Sequence, residues 1–179
     1  RERSNTMSNL LVQNIKHTNG TTAATVSSGG VFASAGHVIQ VVEKVSTASN
    51  TFSANSYADH DELAITPKLS SSKMYLIFTG RVKYGNTLGN QERARGGFKW
   101  NRFVGGSSAG SHNHSTEQFQ SKGVSNDGSL EFSFTVTYSV FDTPATSNEI
   151  TYKLQVINSQ SDNNFTVSHG QITIMEIAQ

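Results

Sequence analysis

Apolar residues recur at every second position along most of this chain. The clearest case is the segment LEFSFTVTYSV, residues 130–140, in which large apolar side chains alternate with serine, threonine and glutamate. Strict alternation is typical of a β-strand that turns one face to a core and the other to solvent. KMYLIFTGRV (73–82) and EITYKLQVIN (149–158) have the same period, so we predict strands there as well.

Two further segments carry apolar residues on both faces. ITIMEI places Ile172 and Ile174 on one side and Met175 on the other, and HVIQVVEKV (37–45) is similar. Since a strand that is apolar on both faces is normally covered on both, we expect one face to lie in the core and the other against a second subunit. The alternative is that both faces are covered within one subunit of a sandwich. The candidate residues for the core or for a trimer interface are Ile39, Val41, Tyr152, Ile172, Ile174 and Met175.

Turn-forming sequences separate these segments: HTNGTT, SSGG, KYGNTLGN, VSNDGS and SQSDNN. Because there is no long amphipathic helical pattern, we predict an all-β fold, an antiparallel jelly-roll β-sandwich, over residues 36–179. Residues 1–35 contain few apolar positions and are predicted to form an extended arm that needs neighbouring chains. Met7-Ser8 resembles a natural start, so residues 1–6 have no predicted role. GGFKWNRFVGG predicts a further strand, and GSSAGSHNHSTEQ an exposed loop.

The composition excludes several classes of protein. Of the 179 residues, 15% are charged and the formal net charge is +1, whereas a protein that coats nucleic acid is strongly basic. Cysteine is absent, so disulfides, thiol nucleophiles and zinc-thiolate sites are excluded. The first ten residues lack the apolar core of a signal peptide, and no apolar run is long enough to span a bilayer.

Motifs for catalysis are also missing. The chain contains no H-E-x-x-H, no phosphate-binding loop and no nucleophile elbow, in which G-x-S-x-G joins a strand to a helix. The acidic run Asp59-His60-Asp61-Glu62 lacks the glycine of a calcium loop, so a solvated turn is the favoured interpretation. We therefore expect a protein that is not an enzyme and that uses no cofactor.

His112 and His114 form His-Asn-His, and on a strand this spacing points both imidazoles to one side. At a threefold axis, three copies would offer six nitrogens to a transition metal in octahedral geometry. The alternative, which we favour, is two solvated loop histidines, because the sequence fixes no third ligand.

The segment RARGGFKWNRF interleaves basic and aromatic residues. Arg95, Trp100 and Arg102 could bind a glycan, since a Trp ring covers the apolar face of a sugar while arginine binds its hydroxyl groups. The alternative is that Phe98, Trp100 and Arg102 share one strand face and Trp100 packs in the core or an interface. We favour this second interpretation.

Four segments resemble a family of virion structural proteins from tailed phages, especially marine ones. They are Ile65-Thr66-Pro67, Ser71-Ser72-Lys73, Tyr152 to Val156, and Ile172 to Ile177. The arm segment SNLLVQNIKHTNGTTAATVSSGGV is similar to the N-terminal strip of short phage fibre proteins. The resemblance covers most of the chain and is weakest over 86–128.

The resemblance implies a trimeric tail-fibre knob, tip or head-appendage subunit, with a jelly roll similar to those of tumour necrosis factor and complement C1q. It implies self-association, contacts with capsid or tail proteins, and assembly into virions in the host cytoplasm. A receptor-binding module for a host surface glycan is the alternative. Neither nucleic acid nor membrane insertion is expected.

Overall fold

The computed structural model describes residues 14–20, 22–26, 32–53, 55–86, 92–112, 119–123, 130–159 and 164–179. Every regular element within these residues is a β-strand. In this part of the chain no helix has the length and apolarity that crossing a membrane requires.

A small antiparallel sheet lies in the predicted arm. It contains β1 (Asn14–Lys16), β2 (Thr22–Val26) and β3 (Phe32–Ala33), in that spatial order. Ala24 is buried, but Ile15 is 46% exposed and Phe32 is 50% exposed. This sheet therefore leaves its large apolar residues uncovered by the rest of the described chain.

Two antiparallel sheets form the main domain. Its strands are β4 (Val38–Phe52), β5 (Tyr57–Ile65), β6 (Lys73–Asn86), β7 (Glu92–Val104), β8 (Ser107–His112), β9 (Phe119–Gly123), β10 (Leu130–Asp142), β11 (Ile150–Asn158) and β12 (Phe165–Ile177). The four-stranded sheet has the order β10-β6-β12-β4, and the five-stranded sheet has the order β5-β11-β7-β8, with β9 paired to β7.

The connections between these strands identify the jelly roll. The chain crosses from one sheet to the other at every step except along β7, β8 and β9. If the strands are lettered A to H in chain order, with β9 as an insertion, the sheets read F-C-H-A and B-G-D-E. This is the arrangement of a jelly-roll sandwich, as the sequence predicts.

Strand periodicity determines which side chains fill the space between the sheets. On β10, Tyr138 and Val140 are buried, whereas Ser133, Thr135 and Thr137 are exposed, which confirms the predicted alternation. The largest fully buried side chains are Trp100, Tyr84, Tyr152, Phe78, Phe98, Phe165, Met74, Leu76, Ile150, Leu154, Ile172 and Ile174.

Gly96 permits a close approach between neighbouring strands. A Cβ atom at this position would lie 2.5 Å from the carbonyl oxygen of Ile157 and 2.8 Å from the ring of Phe165. Both distances are shorter than a van der Waals contact, so a larger residue here would push β7 away from β11.

The acidic run at 59–62 is not a solvated turn. It lies inside β5, and its His60 is only 5% exposed. The prediction was wrong because β5 contains a β-bulge where it pairs with β11. The bulge shifts the alternation of buried and exposed side chains, and the sequence of polar residues does not reveal it. SSAGSH, which we placed in an exposed loop, forms β8 instead.

Candidate functional site: the outer face of the four-stranded sheet

The four-stranded sheet turns an unusual face away from the core. On β12, Ile172 and Ile174 are fully buried, whereas Thr173, Met175 and Ile177 are only partly buried, on the opposite face. The predicted alternation in ITIMEI is therefore confirmed, and Met175 points to the outer face of the sheet.

A row of apolar side chains crosses this outer face. Met175 pairs with Val41 on β4 and with Tyr75 on β6, and Tyr75 pairs with Phe141 on β10. The rings of Tyr75 and Phe141 stack with centroids 4.5 Å apart. We call Val41, Met175, Tyr75 and Phe141 the apolar row.

The apolar row is accessible at both ends. Val41 is 51% exposed and Phe141 is 58% exposed, although both belong to long, well-paired strands. Val45, four residues after Val41 on the same strand and the same face, is 74% exposed. Isolated exposed apolar residues are ordinary, whereas large contiguous apolar patches are typical of interaction surfaces.

The same face becomes polar towards its other end. Threonine hydroxyls pair across the strands, at 3.1 Å between Thr79 and Thr137 and 3.1 Å between Thr51 and Thr166. Arg81 donates a 2.9 Å hydrogen bond to Ser133. The apolar surface is thus confined to one end of the sheet.

The outer face of the five-stranded sheet is charged. Lys153 on β11 lies 3.3 Å from Asp59 and 3.3 Å from Glu62, both on β5. Gln155 donates a 2.6 Å hydrogen bond to Asp59, and this bond, followed by the charge of Lys153, holds the pKa of the Asp59 carboxyl below its usual value. The outer face of the five-stranded sheet is therefore polar, whereas the outer face of the four-stranded sheet carries the apolar row.

The predicted core or interface residues divide between two locations. Tyr152, Ile172 and Ile174 are fully buried inside this chain. Val41 and Met175 belong to the apolar row, and Ile39 is partly buried two positions before Val41. Only this second group is available to a partner.

The predicted glycan residues do not form an open surface. Phe98, Trp100 and Arg102 share the inward face of β7, and Trp100 is fully buried, so its ring offers no face to a sugar. Arg102 donates hydrogen bonds of 2.7 and 2.9 Å to the two oxygens of Asp142. Arg95, also on β7, is partly buried.

Asp142 organises a polar cluster that joins the two sheets. Besides Arg102, it accepts a 2.7 Å hydrogen bond from the hydroxyl of Tyr152, and its Oδ1 lies 3.0 Å from Nε2 of His112. Burial, reinforced by the Asp142 carboxylate, raises the pKa of Tyr152. Because Asp142 is on β10 and its partners are on β7, β8 and β11, the cluster closes one side of the sandwich.

This cluster accounts for one of the two histidines proposed as metal ligands. His112 faces Asp142, while His114 lies outside the described residues. The described part of the chain holds no group of three or more residues able to bind a metal ion.

A second buried carboxylate connects two of the segments on which the family resemblance depends. Glu176 is fully buried and accepts hydrogen bonds from the backbone N–H groups of Lys68 and Leu69, at 2.8 and 3.0 Å, and from the hydroxyl of Ser72, at 2.7 Å. The Ser-Ser-Lys segment and the Ile-Thr-Met-Glu-Ile segment are therefore direct partners.

A shallow cleft opens at the end of the five-stranded sheet, beside the β7–β8 turn. It has a volume of about 420 Å³ and is lined by Phe103, Asn148, Glu149 and Thr151, among others. None of the side-chain polar atoms of Asn148, Glu149 and Thr151 has a partner among the described residues.

Comparison with known proteins gives distant structural similarities. No family model matches the chain, and no curated protein matches it in sequence. Particles derived from infectious bursal virus contain a chain with 9% identity and a TM-score of 0.44, and the match covers 80% of this chain and 33% of that one. Another particle of the same virus, abbreviated IBDV, gives 9% identity, a TM-score of 0.45 and coverage of 79% and 32%.

The Eiger TNF of S. frugiperda is 10% identical, with a TM-score of 0.38, and the match covers 80% of this chain and 95% of that one. This chain thus spans about a third of the viral chains and nearly all of the insect one. At these scores the jelly-roll assignment rests on the strand order of the chain itself.

Proposed function

We propose that this chain is a structural subunit of a viral particle, without enzymatic activity, that assembles with copies of itself through the outer face of its four-stranded sheet. The observation that carries the proposal is the apolar row. Val41, Met175, Tyr75 and Phe141 lie side by side across all four strands, while the corresponding face of the other sheet is charged.

The dimensions of this face fit a stable interface. Each strand of the sheet has 13 residues or more, which gives a length of ~43 Å at ~3.3 Å per residue. Four strands spaced ~4.8 Å apart give a width of ~19 Å, hence an area of ~800 Å² for the whole face, with the apolar row at one end and the polar residues at the other. A standard protein–protein interface buries ~800 Å² on each partner.

The finer proposal is a homotrimer that forms a fibre knob or head appendage of a tailed phage. It is supported by the resemblance of the four sequence segments described above, and a trimer with closed symmetry would end self-association at a defined size. The arm supports it too, since Ile15 and Phe32 are exposed in the small sheet and need a further surface. The arm would join the copies or dock on capsid or tail proteins.

Oligomeric state and location test this proposal. We expect light scattering of the purified chain to give three times the mass of one chain, and an antibody against the chain to label virions at the head or the tail. A monomer at all accessible concentrations would contradict assembly, and unlabelled particles would contradict the viral role.

Glycan recognition is the second candidate, and the cleft beside the β7–β8 turn is the observation that favours it. Phe103 supplies an aromatic ring, and Asn148 and Glu149 supply unpaired polar groups next to it. We expect binding on a glycan array to be lost in Phe103→Ala and retained in Trp100→Phe, since Trp100 is buried. Absence of binding by the wild-type chain would leave only the structural role.

A further inference from the structure

His60 is a titratable group enclosed by the core. It lies on β5 and is 5% exposed. Its ring meets Phe52 of β4 at 6.0 Å and Phe78 of β6 at 5.6 Å, in both cases edge to face. The imidazole therefore stands between the two sheets, against the two strands that follow and precede β5 in the chain.

Neither ring nitrogen of His60 has a hydrogen-bond partner in the described structure. A neutral imidazole has one donor and one acceptor, and burying them unpaired already costs free energy. A protonated ring would place two donors and a full charge in the same apolar space, at a much higher cost. Burial accordingly lowers the pKa of His60, although the charge of Asp61 opposes this shift.

The carboxylates near this part of the core already form ion pairs or hydrogen bonds with other groups. Asp61, the next residue, forms an ion pair with Lys44 of β4. Asp142 and Glu176, which are buried, bind Arg102 and the segment after β5, respectively. The ring neighbours from β4 and β6 are phenylalanines, so no free carboxylate on the described elements packed against His60 faces a protonated ring.

We propose that His60 is an acid-sensitive latch, whose protonation opens the sandwich where β5 packs on β4 and β6. The proposal does not depend on the assembly proposed above, because it concerns the fold of one chain.

The direction of the pH dependence follows from where the proton binds. In the unfolded chain His60 takes up a proton near its ordinary pKa of ~6.5, and in the folded chain only at lower pH. Unfolding therefore binds a proton below ~6.5, so the fold is at full stability above that pH and loses stability as the pH falls. The equilibrium constant for folding should drop by up to ~10-fold per pH unit in this window.

Denaturant unfolding between pH 7.5 and pH 5 tests the latch at one fixed protein concentration. The test variant is His60→Leu, which replaces the imidazole with an apolar side chain of similar size, and the control is His37→Leu at an exposed histidine. We expect His60→Leu to lose most of the decline in stability below pH ~6.5 and the control to keep it. An unchanged decline in His60→Leu would overturn the proposal.

A measurement on the wild-type chain covers the case in which His60→Leu does not fold. The ring proton signals of His60 in NMR spectra should not titrate near pH 6.5 while the fold persists, and hydrogen exchange in β5 should accelerate before exchange in β12. Titration of the His60 signals near pH 6.5 in an intact fold would contradict the latch. Above pH 5 the carboxyls of Asp59 and Asp61, whose pKa values are lowered, stay ionised and do not contribute.

Discussion

Val41 offers the sharpest test of the assembly surface. It lies on β4, an edge strand of the four-stranded sheet, with its side chain outward and 51% exposed. Val41→Asp puts a charge into the apolar row without disturbing the core of the chain. Ile174 would be a poor choice, because it is fully buried and a charge there would unfold the subunit.

The size of the effect follows from burial. Complete burial of a valine side chain contributes ~1.5–3 kcal/mol, so covering the exposed half of Val41 contributes ~1 kcal/mol per subunit. An unpaired carboxylate in the interface adds a desolvation cost of several kcal/mol. The sum, ~4 kcal/mol or more, corresponds to at least ~10²–10³-fold weaker association per subunit.

Sedimentation velocity over a hundredfold range of concentration measures this change, and circular dichroism verifies the fold. The matched control is Ser111→Asp, which adds the same charge at an exposed position of β8, an edge strand of the other sheet. We expect Val41→Asp to be monomeric and folded, and the control to assemble as wild type. If a folded Val41→Asp associates like wild type, the apolar row is not the interface.

Three further substitutions, two in the interior and one in the connection between β10 and β11, are tested by thermal and denaturant unfolding. Glu176→Ala should lower the free energy of unfolding by ~3 kcal/mol or more, since it leaves buried donors, Ser72 among them, without their acceptor; a loss below ~1 kcal/mol would mean that water replaces the carboxylate. Asp142→Asn should cost ~3 kcal/mol because the guanidinium of Arg102 keeps its charge in a mostly buried position, and a neutral result would contradict the pairing. Ala145→Gly should raise stability by ~0.5–1 kcal/mol, since Ala145 has a φ of 52°; destabilisation would argue against that backbone conformation.

The fold class could be predicted because period-two patterns and turn sequences are local. The inner faces of β10 and β12 follow directly from the alternation of their residues. Tyr75 and Phe141 were not singled out, although the signal was present: Tyr75 and Ile77 make β6 apolar on its second face, as Met175 does for β12. Applied to every strand, the same criterion would have found most of the apolar row.

Other features could not be predicted because they depend on distant pairing. β8 consists of small polar residues, and SSAGSH forms a strand only because β7 supplies hydrogen-bond partners. The burial of His60 depends on a bulge, which a strict period cannot represent. Asp142 and its polar partners lie on four different strands, so no spacing in the sequence brings them together.

The central position of β12 has a consequence for how this chain acquires its structure. β12 lies between β4 and β6 in the sheet and follows both of them in the chain. Neither β4 nor β6 can complete its hydrogen bonding until β12 has been synthesised. The bond between Gln171 and Glu43 joins residues 128 positions apart. Closing such long loops is entropically expensive, which makes folding slow. We therefore expect β4 and β6 to keep unpaired strand edges in the nascent chain until β12 has been synthesised.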